Sequence, residues 1–125
     1  MRDAILICNT TRTLLTKLSE KRKSSSIPFT GKEFFEMAKW CQSNDKQTVN
    51  RALKGFLEKC EQIGLNGSQA TSNGPRIMIM GSFMGSSSFI GLIESLGARV
   101  VCEDLCLGMQ YFSSEVGEKT DNPIA

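Results

Sequence analysis

The stretch RIMIMGSFMGSSSFIGLIESLGARVVCE, residues 76–103, predicts a strand, a helix and a second strand. RIMIM (76–80) and RVVCE (99–103) are short apolar runs typical of strands, and the second is expected to be buried. Residues 86–97 have apolar side chains at helical spacing and end on Gly97, which predicts a helix with a glycine cap. We expect its inward-facing side chains to be Phe89, Ile90, Leu92, Ile93 and Leu96. Short connections make this a βαβ unit with parallel strands and a right-handed crossover.

Residues 1–64 predict three helices. The first covers about 4–21, and the second begins after Thr30, whose capping box with Glu33 is typical of a helix N-terminus, and ends near Cys41. The third has the clearest periodicity in the chain, because its apolar residues recur at i, i+3, i+4, i+7, i+8 and i+11. Those residues are Val49, Ala52, Leu53, Phe56, Leu57 and Cys60.

The fold class predicted by these patterns is α/β, in which a helical N-terminal section precedes a Rossmann-like βαβ unit. The expected boundaries are 1–64 for the helical section, 65–75 for a flexible linker, 76–112 for the βαβ unit with its loop, and 113–125 for a polar tail. Two parallel strands do not form a stable sheet alone. We therefore expect the chain to be part of a larger subunit, with a truncated tail.

Composition excludes several classes of protein. The net charge is +2, and apart from residues 21–23 (KRK), interpreted as a solvated loop, the basic residues are scattered, so no nucleic-acid partner is expected. No apolar run approaches the roughly 18 residues of a membrane span, and no signal peptide is recognisable. The five cysteines are odd in number and dispersed, which favours a reducing, cytoplasmic location.

Two loops leave the carboxyl ends of the predicted strands, where open α/β sheets bind their ligands. The first, residues 81–88, has glycines and a helix N-terminus that suit an anion, but it lacks the lysine of a phosphate loop. A plain turn capped by Ser86 or a neighbouring serine is the simpler interpretation.

The second loop, residues 103–112, contains Cys106 beside Gly108. A thiolate in such a loop is a candidate nucleophile or metal ligand. The adjacent acids Glu103 and Asp104 argue against a nucleophile, and a chain without histidine or a CxxC pair argues against zinc. The residues alone leave an ordinary loop cysteine equally open. The other cysteines are interpreted as small buried hydrophobes: Cys8, Cys41, Cys60 and Cys102.

The segment RIMIMGS…LIESLGARVVCEDLCLGMQYF resembles the 2-hydroxyacyl-CoA dehydratase family of the D-component type, which includes 2-hydroxyglutaryl-CoA dehydratase and benzoyl-CoA reductase subunits. The shared pattern is a strand ending in Gly-Ser, a helix, and a second strand leading to an acidic pair, a cysteine, a glycine and two aromatics. The matching residues are Gly81, Ser82, Glu103, Asp104, Leu105, Cys106, Gly108, Tyr111 and Phe112. The helical part NTTRTLLTKLSEKRK…IPFTGKEFFEM, residues 9–37, also resembles the family.

The resemblance implies a 4Fe–4S cluster held by three cysteines from distant parts of a longer subunit, of which Cys106 is the middle one. The isolated chain is then expected to bind no cluster and to be inactive. Gly108 would let the backbone approach the cluster, and Tyr111 with Phe112 would limit water. The remaining residues of the shared pattern that are candidates for lining the site are Gly81, Ser82, Glu103 and Asp104.

The implied reaction is elimination of water from a 2-hydroxyacyl-CoA through a ketyl radical, after ATP-driven one-electron activation. Its partners would be a second homologous subunit, an activator iron–sulfur protein and the acyl-CoA substrate. Leu107 and Gln110 depart from the family's frequent threonine and arginine, which leaves the substrate open. The alternatives are a benzoyl-CoA reductase-type subunit and a binding or assembly module without a cluster or catalytic activity.

Overall fold

The computed structural model describes residues 2–23, 29–65 and 74–117. The elements, in chain order, are α1 (Arg2–Lys21), α2 (Gly31–Ser43), α3 (Lys46–Leu65), β1 (Arg76–Met80), α4 (Ser88–Ser95), β2 (Arg99–Asp104) and α5 (Met109–Phe112). β1 and β2 pair in parallel. This confirms the predicted α/β class, in which helices precede a βαβ unit. Pro28, most of the predicted linker and the end of the predicted tail lie outside the described residues.

The helical section has its own apolar core between α1 and α3. Val49 and Leu53 are fully buried on α3, as the predicted stripe requires, whereas Ala52 at the edge of that stripe is exposed. The buried members of this first core are Leu14, Leu15, Leu18, Phe29, Phe34, Cys41, Val49, Leu53, Cys60 and Phe112. Along the described stretches of the chain, every helix is too short or too polar to cross a membrane.

Helix α2 joins this core to the sheet. Phe34 belongs to the first core, and its neighbour Phe35 belongs to a second core with Ile90, Val100 and Leu105. The predicted capping box of Thr30 and Glu33 is present at the start of α2.

A second carboxylate also caps α2. Glu94 of α4 accepts hydrogen bonds from the backbone N–H groups of Gly31 and Lys32, at 2.7 and 3.1 Å. These N–H groups have no acceptor within the helix, so a carboxylate from α4 satisfies them and complements the helix dipole. The contact ties the helical section to the βαβ unit.

The prediction that α4 turns five apolar side chains inward is wrong for three of them. Ile90 is buried and Ile93 half-buried, but Phe89, Leu92 and Leu96 are exposed, Leu96 by 80%. Helix α4 is apolar around most of its circumference, so helical spacing alone cannot select the inward face. In the described residues it packs on a two-stranded sheet and on α2, and strands about 4.8 Å apart cover only one stripe of a helix.

Two glycine-to-alanine substitutions should have opposite effects on stability. A Cβ at Gly31 would lie 2.7 Å from the Val100 carbonyl oxygen and 2.8 Å from its Cβ, so Gly31→Ala should lower the free energy of unfolding by about 1–3 kcal/mol. Gly55, inside α3, has nothing within 4 Å of an added Cβ, and Gly55→Ala should raise it by about 1 kcal/mol. Urea unfolding measures both, and equal stability of the two variants would contradict the packing at Gly31.

Candidate functional site

The loops that follow β1 and β2 are hydrogen-bonded to each other. The Gly81 N–H donates to the Asp104 carbonyl at 3.1 Å, and the Cys106 N–H donates to the Ser82 carbonyl at 3.1 Å. These two hydrogen bonds continue the parallel pairing of β1 and β2 into the loops that follow them. Four of the candidates from the sequence are therefore brought together at the carboxyl edge of the sheet, where α/β proteins bind ligands: Gly81, Ser82, Asp104 and Cys106.

Around Cys106 the backbone is anchored on several sides. Leu105 is buried in the second core, the Leu107 carbonyl accepts a hydrogen bond from the Gln42 side chain at 3.1 Å, and the Gly108 N–H closes a turn onto the Leu105 carbonyl at 2.9 Å. Cys106 itself is exposed. The arrangement presents a solvent-facing thiol from a backbone that is held in place.

Glu103 turns its carboxylate into the core instead of lining the loop surface. It is 0% exposed and accepts two hydrogen bonds from Arg22, at 2.7 and 3.0 Å. Burial raises the pKa of Glu103, and the Arg22 guanidinium only partly offsets this. Asp104 is half-buried, and Gly81 and Ser82 are exposed.

Arg22 is the important residue that sequence reasoning missed. The basic run at residues 21–23 was interpreted as a solvated loop, but Arg22 is 1% exposed and lies 3.8 Å above the ring of Phe34. The flat guanidinium suits both a forked bond to a carboxylate and stacking on a ring. No local signal marks this residue, because its partner Glu103 lies 81 positions away.

The close packing of Glu103 leaves no room for a side chain at position 108. A Cβ at Gly108 would lie 2.8 Å from the Glu103 Cγ and 2.9 Å from the Glu103 carbonyl oxygen. The sequence interpretation assigned this glycine to backbone approach toward a cluster. The close approach in the structure is to the strand residue behind the loop.

The two aromatics lie in the short helix α5 and face the first core. Phe112 is buried and meets Phe34 edge to face, with 5.8 Å between ring centroids, and Tyr111 is half-buried against the same core. For Phe112 the contact is core packing. Tyr111 keeps a partly exposed position next to the loop.

The glycine- and serine-containing loop after β1 is a plain turn. Ser87 is the N-cap of α4 but makes no capping hydrogen bond with its side chain. The Ser86 hydroxyl instead accepts a hydrogen bond from the Ser88 N–H at 3.2 Å. A neighbouring serine therefore contacts the start of α4, while the N-cap serine itself does not cap it.

The segment after α5 is fastened to α1. The Asn9 side chain donates to the Val116 carbonyl at 2.8 Å and accepts from the Val116 N–H at 3.0 Å. The Thr13 hydroxyl donates to the Glu115 carboxylate at 2.6 Å. The first helix and the turn that follows it therefore hold both ends of the loop region, through Asn9 within the helix and Arg22 just past its end.

Among the described residues, the donor set offers one exposed cysteine and no grouped metal ligands. No group of three or more potential ligands (His, Cys, Asp or Glu) lies together in the stretches that the structure describes. Cys41 and Cys60 are buried, Cys8 and Cys102 half-buried, and Cys106 exposed. One accessible thiolate can serve as one ligand of an iron–sulfur cluster whose other ligands come from elsewhere.

The thiols should differ sharply in reactivity. At pH 8 we expect iodoacetamide to modify Cys106 first, because its thiol is exposed, and Cys41 last, because burial raises its pKa to about 11 and blocks access. Mass spectrometry of peptides after timed alkylation measures the order, with unfolded protein as the control. Modification of Cys41 as early as Cys106 would contradict the packing described.

A comparison with curated proteins finds no relative of this chain. A family model described as 2-hydroxyglutaryl-CoA dehydratase, D-component, matches residues 1–125, the whole chain. On that match, the chain belongs to the 2-hydroxyglutaryl-CoA dehydratase D-component family.

Proposed function

We propose that this chain is the part of a 2-hydroxyacyl-CoA dehydratase subunit that contributes Cys106 to a 4Fe–4S cluster. One observation supports this most: an exposed thiol lies on an anchored loop at the carboxyl edge of a parallel sheet. Membership of the dehydratase family points to the same function. The other ligands come from outside the described residues.

Each neighbour of Cys106 has a physical role in this proposal. Ser82 and Gln42 hold the loop backbone through the Cys106 N–H and the Leu107 carbonyl, which leaves the thiol free to bind as a thiolate. Leu105 closes the core behind the loop and limits the approach of water from that side. When bound, the cluster supplies one-electron chemistry, and its potential depends on how much water reaches it.

The substrate class follows from the family. In a 2-hydroxyacyl-CoA the proton on the β-carbon is not acidic, so simple base catalysis cannot remove it. A one-electron reduction of the thioester carbonyl makes loss of the α-hydroxyl possible and acidifies the β-proton, and the electron is afterwards returned. We propose that an ATP-dependent activator protein supplies the electron and that a second homologous subunit completes the enzyme.

The test is an anaerobic assay of the assembled enzyme with its activator, ATP and a reductant. We expect 2-hydroxyglutaryl-CoA or a related 2-hydroxyacyl-CoA to lose water, giving the 2-enoyl-CoA, measured by mass spectrometry. Omission of ATP is the control and should abolish turnover.

A ring-reducing subunit is the second candidate, because the exposed Gln110 stands where the family often has arginine and so leaves the substrate class open. Formation of a dienoyl-CoA from benzoyl-CoA in the same assay would replace the first proposal. An assembled protein that holds no cluster and turns over neither substrate would favour the assembly module.

A further inference from the structure

We propose that Arg22 and Glu103 are positioning residues for Cys106, acting as a buried ion pair that fixes the loop 105–108 from its core side. This inference rests on the proposed function, because it assigns a task to the pair at the same site. Neither side chain touches the thiol, so their effect is exerted through the backbone.

The pair has one well-defined geometry. The Arg22 Nη1 lies 2.7 Å from one carboxylate oxygen of Glu103, and Nη2 lies 3.0 Å from the other. The guanidinium also stacks on Phe34 at 3.8 Å. A planar fork held between a carboxylate and a ring has little freedom to rotate. Among the described residues the Arg22 Nε has no hydrogen-bond partner. The two hydrogen bonds to Glu103 are therefore the main polar contacts of this buried guanidinium.

The position of Glu103 is passed on to the loop by direct contact. Gly108 lies against both the side chain and the carbonyl of Glu103, closely enough that any Cβ would collide with them. The turn that contains Cys106 is closed by the Gly108 N–H on the Leu105 carbonyl. Both ends of this turn are therefore close to Glu103. Leu105 follows Glu103 by two residues in the sequence, and Gly108 packs against it.

A different role is conceivable for the same pair, namely anchoring the end of α1 to β2 without any effect on the loop. The two roles differ in what happens to the loop when the fold is intact. A positioning pair keeps the amides of Cys106 and Gly108 from opening locally, so its loss speeds their exchange even where global stability is unchanged. An anchor alone does not.

The first experiment is amide hydrogen exchange on the 125-residue chain, comparing Glu103→Gln with Leu53→Ala. Leu53 is buried in the first core and belongs neither to the ion pair nor to the second core that holds Leu105, so its substitution lowers global stability while the ion pair stays intact. At matched stability, we expect exchange at residues 105–108 to be about tenfold faster in Glu103→Gln than in Leu53→Ala, as expected from a weakened hydrogen bond. Equal exchange in the two variants would overturn the proposal.

The double variant Arg22→Met with Glu103→Leu covers the case in which Glu103→Gln fails to fold. It replaces both charged side chains with apolar ones and removes the two hydrogen bonds between them. Such replacements often keep a protein folded. A positioning role predicts a wild-type unfolding midpoint with fast exchange in the loop. Wild-type exchange in the loop of this variant would show that the pair is only an anchor.

A spectroscopic readout on the cluster-loaded enzyme separates this inference from the proposed function. If Cys106 is a ligand and the pair orients it, Glu103→Gln should retain iron but alter the electron paramagnetic resonance spectrum of the reduced cluster, whereas Leu53→Ala should leave it unchanged. An unaltered spectrum in Glu103→Gln would refute the positioning role. Full iron in Cys106→Ala would refute the ligand role instead, and the exchange result would still decide whether the pair controls the loop.

Discussion

Replacing Cys106 with alanine is expected to remove the iron–sulfur cluster from the assembled dehydratase, while replacing Cys60 leaves the cluster in place. Cys106 is exposed on the anchored loop, and the proposed cluster, with three cysteine ligands, would have no spare thiolate to replace it. Cys60 belongs to the first apolar core on α3. Its loss removes a small buried volume and should cost about 1 kcal/mol of stability.

The measurement is iron and sulfide content with visible absorbance, on both variants purified without oxygen. Cys60→Ala is the matched control, because it changes the same residue type in the same chain and alters only packing. We expect Cys106→Ala to lose essentially all cluster absorbance and Cys60→Ala to retain it. Wild-type iron in Cys106→Ala would show that the loop cysteine is no ligand.

Elements whose signal is local were predictable from the sequence. The capping box of Thr30 and Glu33 is a contact between residues three apart, and it marks the start of α2 within one residue. The strands β1 and β2 were recognisable as apolar runs between glycines and proline, and the burial of Val49 and Leu53 on α3 follows from helical periodicity. The position of Cys106 in the loop just past β2, beside a glycine, was also recognisable locally.

Features that depend on distant partners were not predictable. Arg22 looked like part of a solvated basic run because its carboxylate partner lies 81 residues away. The need for glycine at position 108 arises from Glu103 packing behind it, which no spacing rule describes. The outward stripe of α4, with Leu96 at its end, was missed because an all-round apolar helix gives no sign of which face the sheet covers.

The buried pair yields the second large effect: Arg22→Ala should lower the free energy of unfolding by about 3–5 kcal/mol. Removing the guanidinium leaves the Glu103 carboxylate buried at 0% exposure without its forked partner. The cost is therefore the desolvation of an unpaired charge, in addition to the lost stacking on Phe34. The double variant Arg22→Met with Glu103→Leu removes both charges together and should be close to the wild type in stability.

The pH dependence of unfolding distinguishes desolvation from simple loss of packing. Burial raises the pKa of Glu103 above its ordinary value of 4.5 despite the attraction of Arg22. The folded state then binds a proton more tightly than the unfolded state, so this group's contribution to stability is full below about pH 4.5 and falls as pH rises through the raised pKa. In Arg22→Ala the loss of stability with rising pH should be larger, because the guanidinium that lowers the pKa of Glu103 is gone. The double variant has no carboxyl group at position 103 and should not show this loss. Urea unfolding between pH 4 and 8 measures the stability of the wild type, Arg22→Ala and the double variant. If Arg22→Ala loses the same stability at every pH, the loss comes from packing and not from the buried charge.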